Sequence, residues 1–237
     1  MADQLKEKMM KSILLWGLVP PILLMMYMYR LDKVEKEPVG LVFKTFIFGM
    51  ISVIPAIILE LGLGYVLDLV YPGYTQGSLY NLLYYFLVVG FSEEFSKRLM
   101  ANAAVWKSPE FNYHFDAIIY YATSALGFAA LENIMYMTQF GAEIAISRLI
   151  PVHVICGIFM GYFMGWAKTA ELDGMRDVCG RRKIIGLIIP IIIHGTWDFC
   201  VSSESETAVL FVLGMIIVLT LIAFRMIHRE AKKDTLL

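Results

Sequence analysis

Seven ionisable residues lie where an otherwise apolar chain should carry none. Glu93, Glu94 and Lys97 follow directly on an apolar run in "YYFLVVGFSEEFSKRL"; Glu132 closes "GFAALE"; His153 lies within "LIPVHVICG"; His194 and Asp198 lie within "IIPIIIHGTWDF". On a helix, residues four apart share a face. His194 and Asp198 satisfy that spacing, so the carboxylate either orients the imidazole or joins it at a site. Glu93 with Lys97 and Glu94 with Arg98 satisfy it too. Adjacent glutamates point about 100° apart on a helix. One of Glu93 and Glu94 is therefore expected to reach a given point, while the other supports it or pairs with a cation.

Carboxylates and neutral imidazoles together are donors suited to zinc. A catalytic zinc keeps one water, lowers its pKa to about 7 and polarises a carbonyl, and a nearby glutamate then serves as general base. The chain has no HExxH sequence, so such ligands would come from separate helices. A metal-free arrangement also works: a glutamate activates water and histidines stabilise the oxyanion. Both versions hydrolyse an amide inside or beside a membrane. Helix locking alone is a weaker explanation. Interhelical polar contacts in membranes contribute about 0.6 kcal/mol each, and a charge at a span centre costs several times that.

The elements that must position these residues are hydrophobic helices. The chain has 237 residues, 59% of them hydrophobic and 17% charged, with a mean hydropathy of +0.67. Soluble domains carry about 25% charged residues. Seven apolar stretches, near 13–29, 41–61, 79–105, 115–137, 148–167, 184–203 and 207–225, are long enough to cross a bilayer. The expected fold is all-α, a polytopic transmembrane bundle of about seven spans forming one membrane domain over 1–237. Residues 13–29 serve as an N-terminal anchor and 79–203 hold the catalytic helices. The third span is continuous only if its charged centre faces protein. The first is a retained anchor rather than a signal peptide, because its long run ends in "MMYMYRLDK" with no small-residue cleavage site. A net charge of −1 gives no reason to expect nucleic acid.

Lysine and arginine concentrate in 168–183, in the C-terminal tail and after the double glutamate, while 62–78, 138–147 and 201–207 have none. By the positive-inside rule the first three are cytoplasmic, the last three external, and the N-terminus external. Lys6, Lys8 and Lys11 disagree with that first assignment. Glu132, His153 and His194 then fall at similar depth in the outer half of the membrane. Glu93 lies nearer the middle, unless its helix starts outside the hydrocarbon or a wet pocket reaches inward. Gly157, Gly161 and Gly165 form a double GxxxG that lets a neighbouring backbone approach, which places the fifth span in the middle of the bundle. Tyr27, Tyr29, Tyr71, Tyr74, Trp106 and Trp166 suit an interfacial belt. His114 and His228 read as solvated. Cys156, Cys179 and Cys200 are odd in number and lack CxxC spacing, so they read as small hydrophobes.

"EEFSK" (93–97), "FAALE" (128–132) and "HGTWD" (194–198) resemble the EExxK, FxxxE and HxxxD motifs of the PrsW-type intramembrane proteases, relatives of the type II CAAX prenyl proteases. "GFAALEN" and "RLIPVH", with Arg148 and His153, resemble the PrsW branch. Glu132 and Asp198 stand where the CAAX branch typically has histidine and asparagine, which argues against a prenyl-protein substrate. The resemblance implies a multi-pass protease of the bacterial cell membrane with a cytoplasmic C-terminus. It implies the first, external cut of a single-pass anti-sigma factor, leading to a stress response. It further implies Glu93 as the water-activating base and Glu94 as its partner or a ligand. Glu94, Glu132, His153 and His194 would bind metal, zinc if any, or the oxyanion. Asp198 would orient His194, and Lys97 would neutralise the glutamates. Two other readings stand beside it: an ion-coupled transporter, since chains of Glu, His and Asp also relay protons, and a non-catalytic membrane scaffold. No internal repeat of the kind common in transporters is visible.

Overall fold

The apolar runs form seven helical rods, joined by short connections. The computed structural model describes residues 2–72 and 77–237, with side chains throughout except at 2, 3, 5, 6 and 146–148. Helix α1 (Ala2–Leu31) is the first rod. The second, Val39–Val70, comprises α2 (Val39–Ile51) and α3 (Val53–Val70). The third comprises α4 (Ser78–Leu83), a π-helical stretch (Tyr84–Gly90) and α5 (Phe91–Val105). Then follow α6 (His114–Phe140), a short 3-10 segment (Ala142–Leu149), α7 (Val152–Leu172), α8 (Arg176–Val201) and α9 (Glu206–Lys233). Tyr74 lies outside the described residues, as do the side chains of Lys6 and Arg148.

By length and apolar content alone, four rods are able to cross a bilayer: 7–31, 39–70, 176–201 and 206–233. The remaining three carry Glu93, Glu94, Lys97, Glu132 and His153. Their polar residues are covered by protein rather than lipid: Glu93, Glu94 and Lys97 are 6%, 0% and 2% exposed. Leu61 and Val70 on α3, and Leu210, Ile217 and Leu221 on α9, are exposed apolar groups that suit contact with acyl chains.

The helix at the centre is α6, where every residue from Phe115 to Ala130 is buried. It differs from the fifth-span centre expected from the GxxxG pattern; that span, α7, is instead its closest-packed neighbour. A Cβ on Gly157 would lie 2.8 Å from the Cα of Ala122, and one on Gly161 would lie 2.6 Å from the Cα of Ile118. On another side Gly49 of α2 and Gly127 of α6 sit reciprocally against the backbones of Ser124 and Phe46. Small residues thus let two helices rest directly on α6, an arrangement that suits a membrane interior, where close van der Waals packing drives helix association.

Three loop expectations change. The basic 168–183 segment is almost wholly helical, with only Asp173–Met175 turning between α7 and α8. Cys179 is accordingly buried, as are Cys156 and Cys200. His114 and His228 are half-buried and bonded rather than solvated: His114 meets the Thr169 hydroxyl at 3.1 Å, and His228 meets the Tyr27 hydroxyl at 3.2 Å. The rods alternate in direction: Ile13 of α1 packs with Met137 near the end of α6, and the Leu237 amide donates to the Asn112 carbonyl just before its start.

The α6–α7 seam yields a test. Gly161→Leu must push the backbones apart, and overpacking of this kind costs about 1–3 kcal/mol. A fall in thermal midpoint in detergent is expected, while Gly180→Leu, whose Cβ meets nothing within 4 Å, should leave the midpoint unchanged.

Candidate active site

Two glycines decide how close α8 comes to the third rod. A Cβ on Gly195 would lie 2.8 Å from the Phe86 ring, and one on Gly90 would lie 3.3 Å from the Ile191 carbonyl oxygen. With neither Cβ present, α8 rests on the π-helical stretch and sets His194 beside α5. A π turn takes more residues per turn than an α turn, and such stretches recur at functional sites. Here it directly precedes Glu93 and Glu94.

Four helices bring the sequence-selected residues together. The Lys97 ammonium donates to Glu93 Oε2 at 3.0 Å and to Glu94 Oε1 at 2.8 Å. It also contacts His153 Nδ1 at 3.0 Å and lies 4.0 Å from the centre of the Phe128 ring. His194 Nδ1 is 2.9 Å from Glu94 Oε1, and its Nε2 is 3.2 Å from Asp198 Oδ2. His153 Nε2 is 2.7 Å from Glu132 Oε2. The two imidazoles lie 5.1 Å apart at 81° to one another. Each ring turns Nδ1 toward the glutamate–lysine cluster and Nε2 toward an outlying carboxylate, and His194 Nε2 also lies 3.6 Å from Glu93 Oε2.

Both glutamates reach this cluster, contrary to the expectation that only one would. Lys97 lies three and four residues on and bridges the 100° between them. They still differ in surroundings. Glu93 lines a cavity of about 530 Å³ together with Glu132, His153, His194 and Asp198, whereas Glu94 does not line it and is fully buried. The cavity runs out to Gln139 and Ser202, exposed residues at one end of α6 and at the C-terminus of α8. A pocket reaching inward thus reconciles the depth of Glu93 with that of the histidines.

The donor set suits a metal. Among the described residues, Glu93, Glu94, His153 and His194 each offer one ligand atom, all within 4.8 Å of one another. Glu94 Oε2 is buried and has no hydrogen-bond partner, which leaves a lone pair directed into protein and open to a ligand. Glu132 is outside this foursome and engages the far nitrogen of His153. Carboxylates commonly hold metal-binding histidines in that way. An ion held by all four donors would share its space with the Lys97 ammonium.

Reading the sequence for charges inside spans missed Glu60. It sits in "IILELGLG" on α3 and lines the cavity; the same rule applied to the end of the second span would have found it. Asn133, Trp197 and Gln139 also line the cavity, and as uncharged residues they gave no comparable signal.

Residues 37–224 match the model of the PrsW family intramembrane metalloprotease. The chain is 34% identical over 200 residues to Protease PrsW of Bacillus subtilis, covering 83% of this chain and 86% of that one. It is 28% identical to Protease PrsW of Oceanobacillus iheyensis, over 96% of this chain and all of that protein. Protease PrsW of Shouchella clausii is 30% identical over 94% of this chain and 99% of its own. No solved structure matches.

Removing one partner of a buried ion pair is strongly destabilising, by about 3–5 kcal/mol. Lys97→Met should therefore lower the thermal midpoint of the purified protein well beyond what Lys107→Met does at an exposed position. Equal midpoints would show that the two glutamates do not depend on the ammonium.

Proposed function

Because the chain belongs to the PrsW family of intramembrane metalloproteases, we propose that it cuts a single-pass membrane protein from the cavity bounded by α3, α5, α6, α7 and α8. Family membership makes it a multi-pass membrane peptidase and favours hydrolysis over ion-coupled transport. The observation that carries the site assignment is the convergence of Glu93, Glu94, His153 and His194 beside a cavity that reaches one face of the bundle.

In this reading Glu93, the glutamate that lines the cavity, takes a proton from the attacking water and returns it to the leaving amine. Glu94, His153 and His194 would hold zinc, with Glu93 able to join them. Zinc so bound would lower the pKa of a water to about 7 and polarise the scissile carbonyl. Glu132 moves from ligand to orienting group, on the strength of its bond to His153 Nε2, and Asp198 does the same for His194. Lys97 offsets the carboxylate charge, so that two glutamates can stand together away from water. Glu60 adds a carboxylate to the cavity wall, suited to a polar backbone group or a basic side chain of the substrate.

The segments richest in lysine and arginine, with the C-terminus, belong on the cytoplasmic side of a bacterial plasma membrane. Alternation of the rods then puts the cavity mouth outside, which agrees with the first, external cut of an anti-sigma factor. Lys11, one of the three discordant charges near the N-terminus, is paired with Glu7 at 2.6 Å.

The test uses protein purified in detergent, assayed for metal content and for cleavage of candidate single-pass proteins. Glu93→Gln should abolish cleavage. Glu132→Gln and Asp198→Asn should lower activity or metal affinity about 10–100-fold, the range for outer-shell partners. If Glu93→Gln and His194→Ala cut as fast as wild type, the assignment is wrong. For orientation, Gln139→Cys should react with an impermeant maleimide added to intact cells, and Gly174→Cys only after lysis.

A further inference from the structure

A second cluster of acidic side chains sits at the other end of α6. Asp32 and Glu37, from the connection between α1 and α2, and Asp116, in the first turn of α6, each turn a carboxylate oxygen to within 4.8 Å of the others. All three are buried, at 1%, 3% and 1% exposure. Asp116 lies sixteen residues before Glu132, a separation of about 24 Å along the helix, so this cluster is distinct from the candidate active site.

Its hydrogen bonding is incomplete. Asp116 Oδ2 accepts from the backbone amides of Asn112 and Tyr113 at 3.0 and 2.6 Å, and the Tyr120 hydroxyl donates to Glu37 Oε2. Asp116 Oδ1 and both oxygens of Asp32 are buried with no partner. The backbone amides of Val34, Glu35 and Glu37 face the Asp32 carboxylate and favour its charged form, while burial disfavours it more. The Lys36 ammonium, the neighbouring cation, donates to the backbone carbonyls of Tyr29 and Asp32 rather than to these carboxylates. Burial and the bond to Asp116 push the Glu37 carboxyl up to about 10, so a cation taking these oxygens displaces that proton, while Asp32 is left buried with no side-chain partner.

We infer that Asp32, Glu37 and Asp116 bind a divalent cation of the oxygen-seeking class, Mg2+, Ca2+ or Mn2+, on the face opposite the cavity. Carboxylates with no imidazole or thiol among them select these ions rather than zinc. The ion would pin the α1–α2 connection to the start of the central helix. The role is structural, and no step of peptide hydrolysis passes through it.

The probe is Mn2+ alone, added to chelator-stripped full-length protein in detergent, with free Mn2+ read by its electron paramagnetic resonance signal and stability by the thermal midpoint. A His194→Ala background weakens Mn2+ binding at the candidate active site. In that background one Mn2+ should still bind and raise the midpoint by several degrees. Asp32→Asn and Asp116→Asn should each weaken that binding at least tenfold. Asp32→Asn keeps the size and the acceptor oxygen of the side chain, so it should fold normally and abolish the rise on adding Mn2+. If Asp116→Asn misfolds, Asp32→Asn decides alone. The inference is overturned if the His194→Ala protein binds no Mn2+, or if Asp32→Asn binds it within tenfold of its parent.

Discussion

One ammonium group holds the centre of this protein together. Lys97 lies within 3.0 Å of both Glu93 and Glu94 and of a ring nitrogen of His153, and it is almost wholly removed from solvent. Two adjacent carboxylates in a low-dielectric interior repel each other and lose their hydration. A cation between them offsets both effects. The third rod can therefore remain helical through its charged centre, with Glu93 facing the cavity and Glu94 buried behind it rather than driven out to water.

Everything else in the fold serves to deliver partners to that point. The glycine contacts of α7 and α2 bring both helices onto α6, which fixes Glu132 and His153 on adjoining surfaces. Gly90 and Gly195 let α8 approach the third rod, which brings His194 to Glu94. Such close approaches leave little room for adjustment, because packed interiors do not deform continuously. The site thus depends on small residues that make no chemical contact themselves.

Much of this was visible in the sequence, for identifiable physical reasons. Bilayer thickness sets span length, so the seven rods could be read as apolar runs. Charges are rare in such runs, so Glu93, Glu94, Lys97, Glu132, His153, His194 and Asp198 stood out before any geometry was known. What was not legible needed the third dimension. The 3.6-residue period spreads Glu93 and Glu94 apart, and only the reach of Lys97 shows how one group serves both. The GxxxG of α7 announces a close neighbour without saying that the neighbour is the central helix. Asp32 and Glu37 looked like ordinary loop charges in "RLDKVEKEP", since nothing local reports that the loop folds back onto the start of α6. Glu60, at the edge of the second span, and Asp116, at the start of the fourth, were charges that the span rule itself could have supplied.

The central claim is that imidazoles from two separate helices meet at one site. X-ray absorption at the zinc edge of the zinc-loaded protein tests it most directly. A shell of nitrogen and oxygen containing two imidazoles, reduced to one imidazole by His153→Ala and likewise by His194→Ala, is the predicted result. A shell containing sulfur, or one that neither substitution alters, would contradict it.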